Sequence, residues 1–151
     1  MFKVEASSLE DYFRFDPARE EDLRALDKLI RGAAPSLERW FVPGTPAGQP
    51  GMTMTMIGYG QYRYTVKDSD VPVVWPVLGL ALQKNYISLY NSANGTGEPF
   101  TCGYADRLGR ARVSKKGVVT FGSTRKTDLE TLAEMIGAIE AGLASGELVA
   151  S

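Results

Sequence analysis

The stretch Met52-Thr-Met-Thr-Met-Ile57 alternates apolar and polar side chains over five residues before ending on isoleucine. Successive side chains of a β-strand point to opposite faces, so this spacing gathers the three methionines on one face and the threonines on the other, which a helix does not do. The segment reads as a strand, and the period of two continues on both sides of it, from Trp40 to Gln83. Gly58 and Gly60 bracket a turn, after which Gln61-Tyr-Arg-Tyr-Thr-Val66 alternates again, so the two segments are expected to pair as a hairpin. Trp75 to Leu82 forms a third strand, turned by Lys84-Asn85 into Tyr86-Ile-Ser-Leu-Tyr90, with Asn suited to the left-handed conformation of tight turns. Asn94-Gly-Thr-Gly then breaks the sheet.

Helical periodicity flanks this region. Asp16-Pro17 supplies a capping oxygen and a residue that fits a first turn, and Leu23, Leu26 and Ile30 recur at helical spacing, with Ala33 closing the stripe. A helix is expected over residues 17–32. Thr127-Asp-Leu-Glu130 has the form of a capping box, and Leu129, Leu132, Met135, Ile136, Ile139 and Leu143 follow at three- and four-residue steps until Gly146. Each helix presents one apolar stripe that needs a cover, so the face with Met52, Met54 and Met56 is expected beneath the helices. With no β-α-β alternation and no internal repeat, the order helix, strands, helix predicts one α+β domain, residues 1–151, in two layers. Val42-Pro-Gly-Thr-Pro-Ala-Gly-Gln-Pro-Gly51 is the expected mobile loop.

A chain of 151 residues with 44% hydrophobic and 23% charged residues has the composition of a globular domain that buries about 70% of its unfolded surface. The longest apolar run, Val71 to Leu82, contains two prolines and is too short to span a bilayer, so no membrane partner is expected. The first residues lack the pattern of a secretory signal, and the single Cys102 forms no internal disulfide; together these point to the cytoplasm.

The net charge of −1 conceals segmentation. Residues 107–126, which begin Arg107-Leu-Gly-Arg-Ala-Arg-Val-Ser-Lys-Lys-Gly117, hold seven basic residues and no acid, whereas residues 127–151 hold five acids and no base. Two readings follow: the blocks neutralise each other across the fold, or the basic block forms a functional face. Ser114-Lys-Lys-Gly117 has the composition of a turn whose glycine takes a positive φ and delivers Val118-Val-Thr-Phe121 into the sheet. A turn there leaves Arg110, Arg112, Lys115 and Lys116 as an exposed rim that prefers anions to metals.

No histidine occurs in the chain, which removes Ser-His-Asp and Cys-His mechanisms and most zinc and non-haem iron sites. Cys102 reads as a small buried hydrophobe, and neither a catalyst, a metal site nor a cofactor is assigned. Glu20, Glu21, Asp22 and Asp27 are the carboxylates that could gather around iron, but Glu20 and Glu21 with Arg24, and Asp27 with Arg31, have ion-pair spacing. Tyr62, Tyr64, Trp75, Tyr86 and Tyr90 lie on neighbouring expected strands, where they either line a ligand pocket or pack beneath the helices. The basic segment 107–126 could track a phosphate backbone, though no helix-turn-helix, zinc spacing or RNA-recognition signature accompanies it.

Taken in order, Leu9-Glu-Asp-Tyr12, Leu29-Ile-Arg-Gly-Ala-Ala-Pro35, Leu80 to Tyr90, and Gly109 to Phe121 followed by Asp128 to Ile136 resemble the YdhG-like domain family of small bacterial proteins of unassigned function, over about residues 9–143. The resemblance implies helices packed on a curved antiparallel sheet in a frataxin-like layout, and a role proposed for some members as iron chaperones. Where the family commonly has a basic-Gly-x-Pro element and a hairpin histidine, this chain has Trp40-Phe-Val-Pro-Gly44 and Asn85. The sequence is therefore expected to encode a non-enzymatic binding or chaperone-like module for a small molecule or a protein partner. An iron-binding chaperone and a nucleic-acid-binding protein acting through residues 107–126 are the alternatives.

Overall fold

The computed structural model describes residues 2–46, 48–49 and 52–151. The expected mobile loop includes residues 47, 50 and 51, which lie outside the described residues. In chain order the elements are α1 (Leu9–Arg14), α2 (Glu20–Ala33), β1 (Arg39–Val42), β2 (Met56–Tyr59), β3 (Tyr62–Thr65), β4 (Pro72–Trp75), β5 (Leu78–Leu82) and β6 (Ile87–Asn91). There follow β7 (Ala93–Asn94), β8 (Arg112–Val113), β9 (Val119–Phe121), α3 (Leu129–Ser145) and β10 (Val149–Ala150), with 3-10 turns at Phe100–Tyr104 and Thr124–Lys126. The fold is α+β. A six-stranded antiparallel sheet runs β1-β2-β5-β6-β9-β8, and the small pairs β3-β4 and β7-β10 stand apart from it.

Alternation along β5 sets the two faces of this sheet. Leu78, Leu80 and Leu82 join Ile57, Tyr59, Leu89, Val119 and Phe121 in one buried cluster with Leu23, Leu26 and Ile30 of α2 and Leu132, Met135, Ile136 and Ile139 of α3. Each such side chain contributes about 1.5–3 kcal/mol by leaving water. Gly79 and Ala81, out of phase with the leucines, belong to the other face, where Val42, Met56 and Ala81 form a second cluster against Trp40, Met54, Trp75 and Tyr90.

The methionine stretch therefore behaves differently from its expectation. Met56 is buried, but on the face away from the helices, and Met52 is 49% exposed. Period two shows that a strand has two faces without showing which one the helices choose; Ile57 and Tyr59, one residue out of phase, win the helical side. The ladder begins only at Met56. Before it, the Thr55 hydroxyl donates to the Val4 carbonyl at 3.3 Å and the Thr55 carbonyl accepts from the Tyr12 hydroxyl at 3.4 Å.

The hairpin expected between β2 and β3 does not form. β2 pairs with β1 and β5, and the chain turns at Gly60, whose φ is +71°, so that β3 pairs with β4. Gly58 lies within β2, opposite Gly79. A Cβ at Gly58 would come within 2.7 Å of Val42 Cγ2 and 2.9 Å of the Trp40 indole nitrogen, and one at Gly79 would collide with Met56 Sδ. The glycine pair thus lets Trp40 and Met56 lie flat on this face. Pro76, with no N–H for a ladder, separates β4 from β5, so the expected strand over residues 75–82 is two strands in two sheets. The β5–β6 hairpin does form, closed by the Gln83 N–H donating to the Tyr86 carbonyl at 2.8 Å, although Asn85 does not adopt a positive φ.

The helix ends also differ in detail. α1, only six residues long, is capped by the Ser8 hydroxyl accepting from the Asp11 N–H at 3.1 Å, and its length is too short to show a period. α2 starts three residues later than expected; Asp16 instead accepts from the Ala18 N–H at 3.1 Å and pairs with Arg19 at 2.7 Å. α3 is capped by Asp128, not Thr127, through the Thr131 N–H at 3.0 Å, and Gly146 ends it with φ +86°.

Candidate functional site

The aromatic residues singled out in the sequence divide between two surfaces. Tyr62 faces Trp75 across the β3-β4 pair, and the Tyr62 and Tyr64 ring centroids are 6.0 Å apart. These three, with Met52, line a concavity of about 410 Å³. Trp75, Tyr90, Met54, Met56 and Lys116 line a second hollow of about 160 Å³, which shares Met52 and Trp75 with the first. The Tyr90 hydroxyl accepts from Gln83 Nε2 at 3.0 Å, which fixes the ring over the sheet. The Tyr62 hydroxyl lies 3.2 Å from Ser92 Oγ. Tyr86 stands elsewhere, in the β5–β6 turn, 43% exposed, with its carbonyl accepting from Arg19 at 2.8 Å. Trp75 and Tyr90 thus lie on the side of the sheet turned away from α2 and α3, Tyr62 and Tyr64 adjoin them through the concavity shared with Trp75 although Tyr62 also packs against the helix-side core, and Tyr86 joins neither hollow.

The basic segment folds back on itself. Gly117, with φ +85°, closes the Ser114–Gly117 turn, whose Gly117 N–H donates to the Ser114 carbonyl at 2.9 Å. Arg112 pairs with Thr120 across β8-β9. The Arg110 N–H donates to the Lys126 carbonyl at 2.7 Å beside a bridge between Gly109 and Thr127. These bonds bring Arg110, Arg112 and Lys126 to one cleft of about 370 Å³ whose other walls are Thr120, Gly122 and Ser123. Among the described residues, the side chains of these three cations make no ion pair and no hydrogen bond to protein. Among the described residues, the ion pair between the acidic helix and the basic segment is that of Arg107, 3.5 Å from Glu134 and stacked 4.7 Å from the Tyr104 ring centroid. Lys115 stays exposed at the turn, away from the cleft lining, and Lys116 joins the aromatic hollow. Lys126, Ser123 and Thr120 were not singled out by the sequence as site residues, because the β8-β9 register brings Thr120 to Arg112 and the Gly109–Thr127 bridge brings the 123–126 turn to Arg110.

Three of the four α2 carboxylates are otherwise engaged, while Glu21 is exposed and Arg24 pairs with Glu20 and Glu10 in its place. Glu20 pairs with Arg24 at 2.8 Å, and Asp22 accepts from the Thr124 hydroxyl. Asp27, 2% exposed, accepts from the Tyr59 hydroxyl at 2.7 Å, from Arg39 at 2.7 Å and from Arg31 at 3.1 Å. Burial and the adjacent Asp27 charge hold the Tyr59 phenol well above its ordinary pKa. The Cys102 thiol is half-buried, 3.5 Å from the Ser114 carbonyl. Among the described residues no group of three or more His, Cys, Asp or Glu side chains is arranged to hold a metal ion, and no helix is long and apolar enough to cross a membrane. No family model, curated protein or solved structure matches the chain.

Proposed function

We propose that this chain is a non-enzymatic binding module of the YdhG-like type that holds a small aromatic or apolar ligand in the hollow bounded by Trp75 and Tyr90. One observation carries the proposal: the helices bury only one side of the six-stranded sheet, and on the other side Trp75 and Tyr90 remain half-buried around an open hollow of about 160 Å³. A core aromatic would be enclosed. Here the rings flank a space of roughly the size of one small ring system, with the polarizable methionines Met54 and Met56 as its floor.

Calorimetric titration with p-cresol, a neutral one-ring probe, tests this. A ligand of its size reaches a dissociation constant of about 1 mM in a well-fitting site. One saturable site is expected in the intact chain and none in Trp75→Ala, with Tyr86→Ala behaving as the intact chain because Tyr86 stands outside the hollow. Equal binding by Trp75→Ala would refute the assignment.

A further inference from the structure

The cleft of Arg110, Arg112 and Lys126 places three cations around one space with no carboxylate in its walls. Repulsion between like charges is about 1 kcal/mol per pair at 4 Å in bulk water and grows as water is excluded, so the arrangement is tolerable empty and is improved by an anion. Two hydroxyls complete it. Thr120 stands beside Arg112 in the β8-β9 register, and Ser123, whose oxygen accepts from the Arg125 N–H at 3.2 Å, keeps its own proton to donate. Guanidinium forks with hydroxyl donors match the tetrahedral oxygens of a phosphate.

The cleft also adjoins the aromatic hollow. Val118, immediately before β9, lines the hollow and Thr120 within β9 lines the cleft, two residues apart, a separation of about 7 Å in extended chain. Ser88, Thr120 and Arg112 form one cross-strand row, next to which Tyr90 lies two residues beyond Ser88 on the same face of β6. We infer that the cleft receives the phosphate of a small phosphate monoester whose aromatic or apolar part occupies the hollow, an inference that rests on the hollow being a ligand site. Lys116 adds a further cation to the hollow wall.

Calorimetry with inorganic phosphate and with phenyl phosphate, on the intact chain and on Arg112→Ala, Lys126→Ala and Trp75→Ala, tests the inference. Phenyl phosphate is expected to bind about tenfold more tightly than inorganic phosphate, and each cation variant to weaken both probes by about tenfold. Trp75→Ala should weaken phenyl phosphate alone. Unchanged melting temperatures establish that the variants fold, and Arg112→Lys, which keeps the charge and loses the fork, should fall between Arg112→Ala and the intact chain. Inorganic phosphate that fails to saturate by about 10 mM, or binds every variant alike, overturns the inference at the cleft and leaves the p-cresol result standing. Phosphate binding with no gain for phenyl phosphate and no effect of Trp75→Ala overturns it at the hollow instead. A single-stranded oligonucleotide that displaces phosphate with a salt slope of several contacts also overturns it, because the cleft would then belong to a polyanion track.

Discussion

Asp27 ties α2 to the sheet, since the Arg39 and Tyr59 groups it accepts from belong to β1 and β2. Removing Asp27 leaves the buried Tyr59 hydroxyl without its acceptor, at a cost of about 1–3 kcal/mol, while Arg31 and Arg39, 47% and 30% exposed, can turn to water. Asp27→Ala is therefore expected to lose that much in urea denaturation, and a loss below about 1 kcal/mol would mean the network is solvated. Tyr12 supplies a pH signature. Its hydroxyl accepts from the Leu82 N–H at 2.8 Å, and burial pushes its pKa from 10.0 up to about 12. A raised phenol pKa means the folded state holds its proton longer, so the stabilisation is complete below pH 10 and is lost as pH rises through 12. Melting curves across that window should show falling stability, with the slope reduced in Tyr12→Phe; that variant should also lose about 1–3 kcal/mol at neutral pH by orphaning the Leu82 N–H. In the sequence, Asp27 shows its helical spacing to Arg31 and nothing of Arg39 or Tyr59, whose approach depends on where β1 and β2 cross α2.

At the scale of elements, the close approach at Gly79 makes the sharpest prediction. Gly79→Ala must displace Met56, whose sulfur occupies the place a methyl would need, at a cost of about 1–3 kcal/mol measurable by chemical denaturation. Unchanged stability would show that the second cluster is loosely packed. Asp128→Ala should cost about 1 kcal/mol through the lost α3 cap. The α3 periodicity, the β5–β6 hairpin and the Ser114–Gly117 turn were legible because each depends on residues close in the chain. The fate of Met52–Ile57 was not, since the choice of face depends on the helices, and neither was the β3-β4 pair, which depends on Pro76 and Gly60 diverting the chain from the main sheet.

Over the whole molecule, a near-neutral total charge coexists with an unneutralised basic cleft because, among the described residues, the acidic α3 forms an ion pair with the basic segment only at Arg107. Helices occupy one side of the sheet, and the other side carries the aromatic hollow and, at its β8-β9 end, the cations. The sequence announced the aromatics and the basic block separately; their adjacency arises from the β6-β9-β8 order, which no local pattern encodes. The most direct test is a map of backbone amide shifts in the isotope-labelled chain titrated with phenyl phosphate. Saturable shifts are expected at Trp75, Tyr90 and Lys116–Val118 together with Arg112, Thr120 and Ser123, while Leu26, Ile30 and Ile136 on the helical side stay still. Shifts confined to the helices, or scattered without saturation, would contradict a binding face on the open side of the sheet.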